Sequence, residues 1–361
     1  MGMKSALIST FTLCRVSNVP PHDKLAIALS KAEFSPCLAT QLGPVYGWAP
    51  ALHEEADELV HYQDGCLLIC LQSEKKSCPS SYLKAAEKRE LAAMKEKGLE
   101  ITKEAKSAVK DRVNTEAAKS AFPVSSRTLV WIDTKANLML VGSTNEKVVK
   151  KVLDMFGVAA PSASVSFLSA DERQVSNLMT EWIQYDRLPM TMSFDESNES
   201  CFRSRTGFCP QAKFKHESLR SEAVKNVLQD QEKKAVMLPL LWEEKIAFRI
   251  NDKLQISAIK FDVDTKEQES DLGSTSNKTG AEADPRGPSK ALLMSAANYV
   301  IFTGMMKMFL PDLIKALGSV VTEESAQERY AEQARKEAEK KSGKGKSGGA
   351  AEPAPGPATA D

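Results

Sequence analysis

Residues 127–143, RTLVWIDTKANLMLVGS, decide how the rest of the chain is read. Two apolar runs flank the turn residues Thr134 to Asn137, which predicts a β-hairpin. Immediately upstream, Ser81 to Ser120 is built from Ala, Glu and Lys, strong helix formers, with one break at Gly98. Two helices of about seventeen residues each would be ~25 Å long. Their apolar positions, among them Leu83, Leu91, Met94, Val109 and Val113, are too sparse for burial on all sides. A helical hairpin is therefore expected to protrude from a β element. Upstream lie a strand (Lys4 to Arg15), a helix (Pro21 to Lys31), a loop punctuated by Gly43, Pro44, Gly47 and Pro50, and a strand (Gly65 to Gln72). Downstream follow a helix (Asn145 to Phe156), a strand (Ser164 to Leu168) and a helix (Asp171 to Gln184). This repeated β-β-α order predicts an α+β domain, residues 1–78 and 123–180, interrupted by a helical insertion at 79–122.

Beyond Pro189, Met190 to Phe194, Cys201 to Arg205 and Lys213 to His216 read as extended, and Ser221 to Asp230 as helical. A second hairpin is expected from Lys245 to Phe261, around Asn251 and Asp252, giving a second α+β domain over 181–322. Within it, residues 262–290 are rich in Ser, Thr, Gly and acids and lack the apolar surface to offset ordering entropy, so a linker is predicted. Residues 323–361 form a tail: a charged, helix-like run from Glu323 to Lys341, then a Gly, Pro and Ala stretch. Ala291 to Leu310 is long enough to span a bilayer but carries Ser295, Asn298, Thr303 and Lys307 and is closed by Pro311; buried core helices are the better reading. The first fifteen residues alternate like a strand and carry no secretory signal.

The 361 residues hold 48 Lys plus Arg and 48 Asp plus Glu, so no global basic character announces a nucleic-acid partner. The charges are nevertheless segregated. Residues 51–64 carry −5, the helical hairpin 81–127 carries +4, 202–220 carries +4 and 262–290 carries −3. Lys103, Lys106 and Lys110 share one helix face, which suits either a phosphate-tracking stripe or a solvated surface. Lys119 and Arg127 continue the positive stretch. In the second positive segment Arg203, Arg205, Lys213 and Lys215 interleave with Phe202, Phe208 and Phe214, a composition suited to phosphate contact.

Enzymatic signals are sparse. His53-Glu54-Glu55 with His61 has the wrong spacing for a zinc helix, and no metal or cofactor site is read. Glycine-rich phosphate loops and nucleophile elbows are absent from the sequence. Seven cysteines, without a CxxC pair, fit a reducing cytoplasm; Cys66 and Cys70, at i and i+4 of a strand, are expected as apolar fillers. Asp133-Thr134-Lys135 and Asp264-Thr265-Lys266 have the Asp-x-Lys half-pattern of metal-dependent nucleases, but turns favour the same residues.

Several blocks together resemble the recombination-associated protein RdgC family. They are Ala32-Glu33-Phe34-Ser35-Pro36-Cys37, Gly47-Trp48-Ala49-Pro50, Asp64 to Cys70, Pro79-Ser80, Ala121-Phe122, Trp131-Ile132-Asp133-Thr134, Leu178 to Trp182, Leu241-Trp242 and Tyr299 to Gly304. Their order covers roughly residues 4–320. The resemblance implies a central domain, a helical finger and a base domain, assembled as a ring-shaped homodimer around duplex DNA. It also implies binding with little sequence preference, restraint of RecA-promoted strand exchange, no membrane association, and a cytoplasmic, nucleoid-associated location. A RecA-type recombinase is the further partner implied. Phe122 would insert into the partner subunit, unless it is a core residue. Lys213 and Lys215 fall near the family's DNA-contacting Gln-Asp-Leu-Thr stretch, which this chain lacks. A metal-dependent exonuclease is the alternative activity.

Overall fold

The computed structural model describes residues 4–38, 43–76, 78–98, 100–204, 211–229, 233–262, 289–325, 328–331 and 335. Among them the chain builds two antiparallel sheets with helices around them. The first sheet runs, in spatial order, β1 (Lys4–Ser5), β14 (Ile256–Phe261), β13 (Ile246–Asn251), β12 (Lys234–Trp242), β10 (Ser200–Arg203) and β11 (Gln211–Phe214). A short β9 (Met192–Phe194) also pairs with β12. The second sheet runs β15 (Thr322–Ser325), β8 (Ser164–Ser169), β2 (Thr12–Ser17), β7 (Leu138–Val141), β6 (Pro123–Asp133), β5 (Cys66–Lys76) and β3 (Gly43–Ala49), with β4 (Val60–Gln63) also against β5.

Both faces of the second sheet are covered, which is why its central strands read as continuous apolar runs. On β5, Leu67, Ile69 and Leu71 enter one core with α1 (His22–Ser30) and α4 (Glu146–Ala159), while Cys66 and Leu68 enter a second core on the opposite face. That second core is shared with the first sheet. Its centre is the long helix α7 (Lys290–Leu317), whose Tyr299 hydroxyl donates to the Cys66 carbonyl at 3.1 Å and whose Thr303 accepts from Trp131 Nε1 at 3.0 Å. Toward the first sheet, Asp312 accepts from Trp242 Nε1 at 2.9 Å and Phe309 packs edge-on to Trp242 and Phe248. Each large apolar side chain buried in this way contributes roughly 1.5–3 kcal/mol. Among the described residues no helix is long and apolar enough to span a bilayer.

Most expected elements are present, and the departures have identifiable causes. The expected strand from Lys4 to Arg15 is two strands, β1 in the first sheet and β2 in the second, so the chain crosses between sheets where Phe11 bridges to Ile256. The Gly and Pro stretch at 43–50 is strand β3 rather than a loop. It is an edge strand, where Pro is tolerated, and Gly47 lies under the Phe34 backbone, so that a Cβ would come within 2.3 Å of Phe34 Cα. Strand β12 is absent from the sequence reading because Pro239 interrupts its apolar run. The Pro239 carbonyl accepts from Asp195, just past the end of β9, so its nitrogen also faces the side where pairing with β9 has stopped. Pro311 does not close α7, which continues one and a half turns further. Residues 322–325 form β15 against β8 instead of starting a helix. Of the predicted linker, 263–288 lie outside the described residues, while Ser289 caps α7 and Lys290 opens it; most of the tail also lies outside.

Candidate nucleic-acid interface

Strands β5 and β6 pair without interruption from Cys66 opposite Asp133 to Lys76 opposite Pro123. At about 3.4 Å per residue this ribbon is ~35 Å long, and its far half leaves the core. Helices α2 (Ser80–Glu96) and α3 (Lys103–Ser120) are inserted at its end. Thr102 caps α3, its hydroxyl accepting from the Ala105 N–H at 3.2 Å, and Arg112 of α3 pairs with Glu90 of α2. Val109, Val113, Ala117 and Ala118 of α3 are buried, whereas α2 buries no residue. Lys103, Lys106, Lys110 and Lys119 are all exposed, and none ion-pairs with a described carboxylate.

Phe122 stands where α3 meets the ribbon and is 87% exposed, next to Val124 at 65%. It is therefore no core residue of this chain. Arg127, expected beside the lysines, is turned inward: Nη2 donates to the Pro50 carbonyl, and Nη1 lies 4.0 Å from Glu54.

The second positive segment falls on the edge of the first sheet. Lys213 lies opposite Cys201, and Arg203 opposite Gln211. Phe202 and Phe214 meet edge-on on the core side, so these two rings serve packing while Arg203 and Lys213 take the other face; Phe208 lies outside the described residues. The Gln211 amide, with its oxygen toward Arg203, accepts from Nε at 3.1 Å. Glu199, which the sequence reading did not single out, bridges Lys213 at 3.1 Å and Lys215 at 3.4 Å. Lys213, followed by Lys215, holds its carboxyl below the usual carboxylate range despite partial desolvation. Strand register is the signal that would have found it, since Glu199 immediately precedes the residue paired with Phe214. Arg205 lies outside the described residues. The α3 lysines and the Lys213 group thus sit on separate elements, α3 and β11.

Asp133 of the first Asp-x-Lys pattern is buried, and its Oδ1 accepts from the Lys135 N–H at 2.9 Å and the Ala136 N–H at 3.0 Å. It closes the β6–β7 turn. Asp264 of the second pattern lies outside the described residues. Among the described residues no three His, Cys, Asp or Glu side chains are grouped to share a metal ion. Cys66 and Cys70 are buried as expected, and burial pushes both thiols up to about 11.

The sequence model of the family described as "Putative exonuclease, RdgC" matches residues 8–320. Curated relatives named recombination-associated protein RdgC include those of Tolumonas auensis, 27% identical over 299 residues, and Aeromonas hydrophila, 27% identical over 300. Each alignment covers 82% of this chain and 92% of the relative. A third, from Psychromonas ingrahamii, is 23% identical over 297 residues. The match takes in both sheets except their edge strands β1 and β15, the α2–α3 insertion and all of α7, and on that evidence the chain belongs to the RdgC family.

Proposed function

We propose that this protein is a non-enzymatic, sequence-tolerant binder of duplex DNA that acts in RecA-dependent recombination as a ring-shaped homodimer, in the cytoplasm and on the nucleoid. In this reading residues 1–78 with 123–180 form the central domain, 79–122 a finger and 181–322 the base. The observation that carries it is the inserted helix pair, with exposed lysines 103, 106, 110 and 119 on α3 and an exposed Phe122 at its root. The lysines would meet phosphates, which carry charge but no sequence information. Phe122 would close the ring against the partner subunit, since a side chain so exposed in one chain gains its burial from another. Lys213 and Lys215 would add phosphate contacts at the base.

The exonuclease reading, which the family's name carries, needs carboxylates free for a metal ion, and Asp133 is committed to its turn. Salt-dependent binding to linear and closed circular duplex tests the proposal. If six to ten phosphates are neutralised, affinity falls ~10³- to 10⁵-fold between 50 and 200 mM salt. A ring slides off linear ends but stays on the circle. Binding indifferent to salt would refute the electrostatic mechanism. Degradation of linear DNA with Mg²⁺ or Mn²⁺, lost in Asp264→Ala or Asp133→Ala, would restore the nuclease.

A further inference from the structure

Helix α1 and strand β4 enclose a groove of about 520 Å³ at the margin of the second sheet. Its apolar wall includes Ile27, 65% exposed, and Tyr62, 47% exposed. The Tyr62 ring stacks on His22, with centroids 4.5 Å apart. The charged lining is acidic throughout: Asp23, Asp57 and Glu58, with no Lys or Arg. Among the described residues Asp23 and Glu58 pair only with histidines, His22 at 2.9 Å and His61 at 3.9 Å, and Asp57 ion-pairs with no cation. Strand β4 pairs with β5 alone among the described strands, so its other edge leaves backbone groups open to an added chain. Carboxylates, an aromatic face and a free strand edge together suit an extended segment bearing several cations.

The chain itself carries such a segment. Residues 340–351, KKSGKGKSGGAA, hold four lysines and four glycines and no acid. They lie outside the described residues, but the point from which the tail sets out is fixed. Tyr330 stands edge-on to Phe167 of β8 at 5.8 Å, Lys150 of α4 sits 4.6 Å from the Tyr330 ring centroid, and Arg329 pairs with Glu146 at 3.9 Å. Phe167 and Tyr330 belong to the same core as Leu25 and Leu29, so the tail departs on the face of the sheet that α1 covers. In the order β8, β2, β7, β6, β5, β4, five strand spacings of about 4.8 Å put β4 ~24 Å from β8. The ten residues from Tyr330 to Lys340 span up to ~33–36 Å when extended and ~15 Å when helical, and the six more to Lys346 add up to ~20 Å. Lysines of the run reach β4 in either case.

We propose that the basic run 340–346 docks, within its own chain, in the groove between α1 and β4, with its ammonium groups on Asp23, Asp57 and Glu58 and over the Tyr62 ring. Tethering favours this segment over a free basic peptide, because a short linker holds it at an effective concentration on the order of millimolar. The docked tail neutralises the acidic margin of the sheet. It needs no DNA, so the contact stands or falls apart from the DNA-binding reading.

Zero-length carbodiimide coupling of the full chain tests the contact, since an amide forms, with loss of water, only where a lysine amine touches a carboxyl group. Mass spectrometry of the monomer band from a denaturing gel should find links from Lys340, Lys341, Lys344 or Lys346 to Asp23, Asp57 or Glu58, with the yield reduced about fivefold in about 0.5 M salt. Hydrogen exchange supplies an independent readout. Residues 57–63 should exchange about fivefold more slowly in wild type than in Lys340→Gln/Lys341→Gln/Lys344→Gln/Lys346→Gln, as expected for losing a few exposed ion pairs, while residues 172–184, against the other sheet, exchange alike in both. Links confined to carboxylates elsewhere would overturn the proposal. Links found in the dimer band alone would overturn it in favour of a neighbouring copy. Equal exchange of 57–63 in wild type and variant would also overturn it and leave the groove to a basic partner from outside the chain.

Discussion

At the scale of single residues, the electrostatics are set by neighbours that composition does not show. Glu199 holds Lys213 and Lys215 on an exposed sheet edge and so competes with any phosphate for both. Glu199→Gln should therefore raise duplex affinity, by about two- to fivefold as expected for removing exposed ion pairs, measured by anisotropy at fixed salt. His61 behaves differently. Burial lowers its pKa below 6.5, outweighing the Glu58 carboxylate 3.9 Å away, and its ring stands edge-on to Tyr299 of α7. A base with a depressed folded-state pKa contributes stability that is complete above the unfolded value and lost as pH falls through the folded one. Denaturant midpoints should thus decline from pH 6.5 downward, and His61→Phe should remove that part of the slope. The roles of Phe122 illustrate what is legible locally: the residue type allowed both a core and an interface reading, and only its exposure of 87% removes the first.

At the scale of elements, the helices were legible because their caps and periodicities are local. Asn145 and Asp171 cap α4 and α5 (Glu172–Gln184) where the sequence places them, through side-chain oxygens accepting from Lys147 and Arg173. The strands that were missed are those whose turn-forming residues are tolerated by tertiary context. Strand β3 contains Gly43, Pro44 and Gly47, yet it pairs along its whole length with β5, and Gly47 lets the Phe34 backbone approach: Phe34 N–H donates to the Trp48 carbonyl at 2.9 Å. Gly47→Ala should destabilise the protein by about 1–3 kcal/mol in chemical denaturation, because the clash is with backbone that cannot rotate away. Strand β15 is not legible locally, because Thr322-Glu323-Glu324-Ser325 has no apolar alternation. It exists because β8 offers an open edge, and Arg329 fastens it by stacking on Phe167 and pairing with Glu146 and Glu324.

At the scale of the whole molecule, the two sheets share one core around α7, and the helix pair leaves that body at the end of a ribbon formed by β3, β5 and β6. If Phe122 closes a dimer, Phe122→Ser should leave unfolding of the chain within ~0.5 kcal/mol of wild type while weakening the dimer by about 30-fold or more, read by sedimentation. An unchanged sedimentation profile would assign it another role. The sequence alone determined the α+β class, the inserted helices, the family and the segregation of a zero net charge into positive and negative stretches, because these depend on local propensity, on residue order and on counting. The tertiary structure decided which cations face outward and which are spoken for. Arg127 is turned toward Pro50, Asp133 is spent on a turn, and Lys234, Arg249 and Lys260, distant in sequence from the other cations, reach one face only because β12, β13 and β14 lie side by side in register. Strand pairing is a long-range contact, and no local window of sequence contains it.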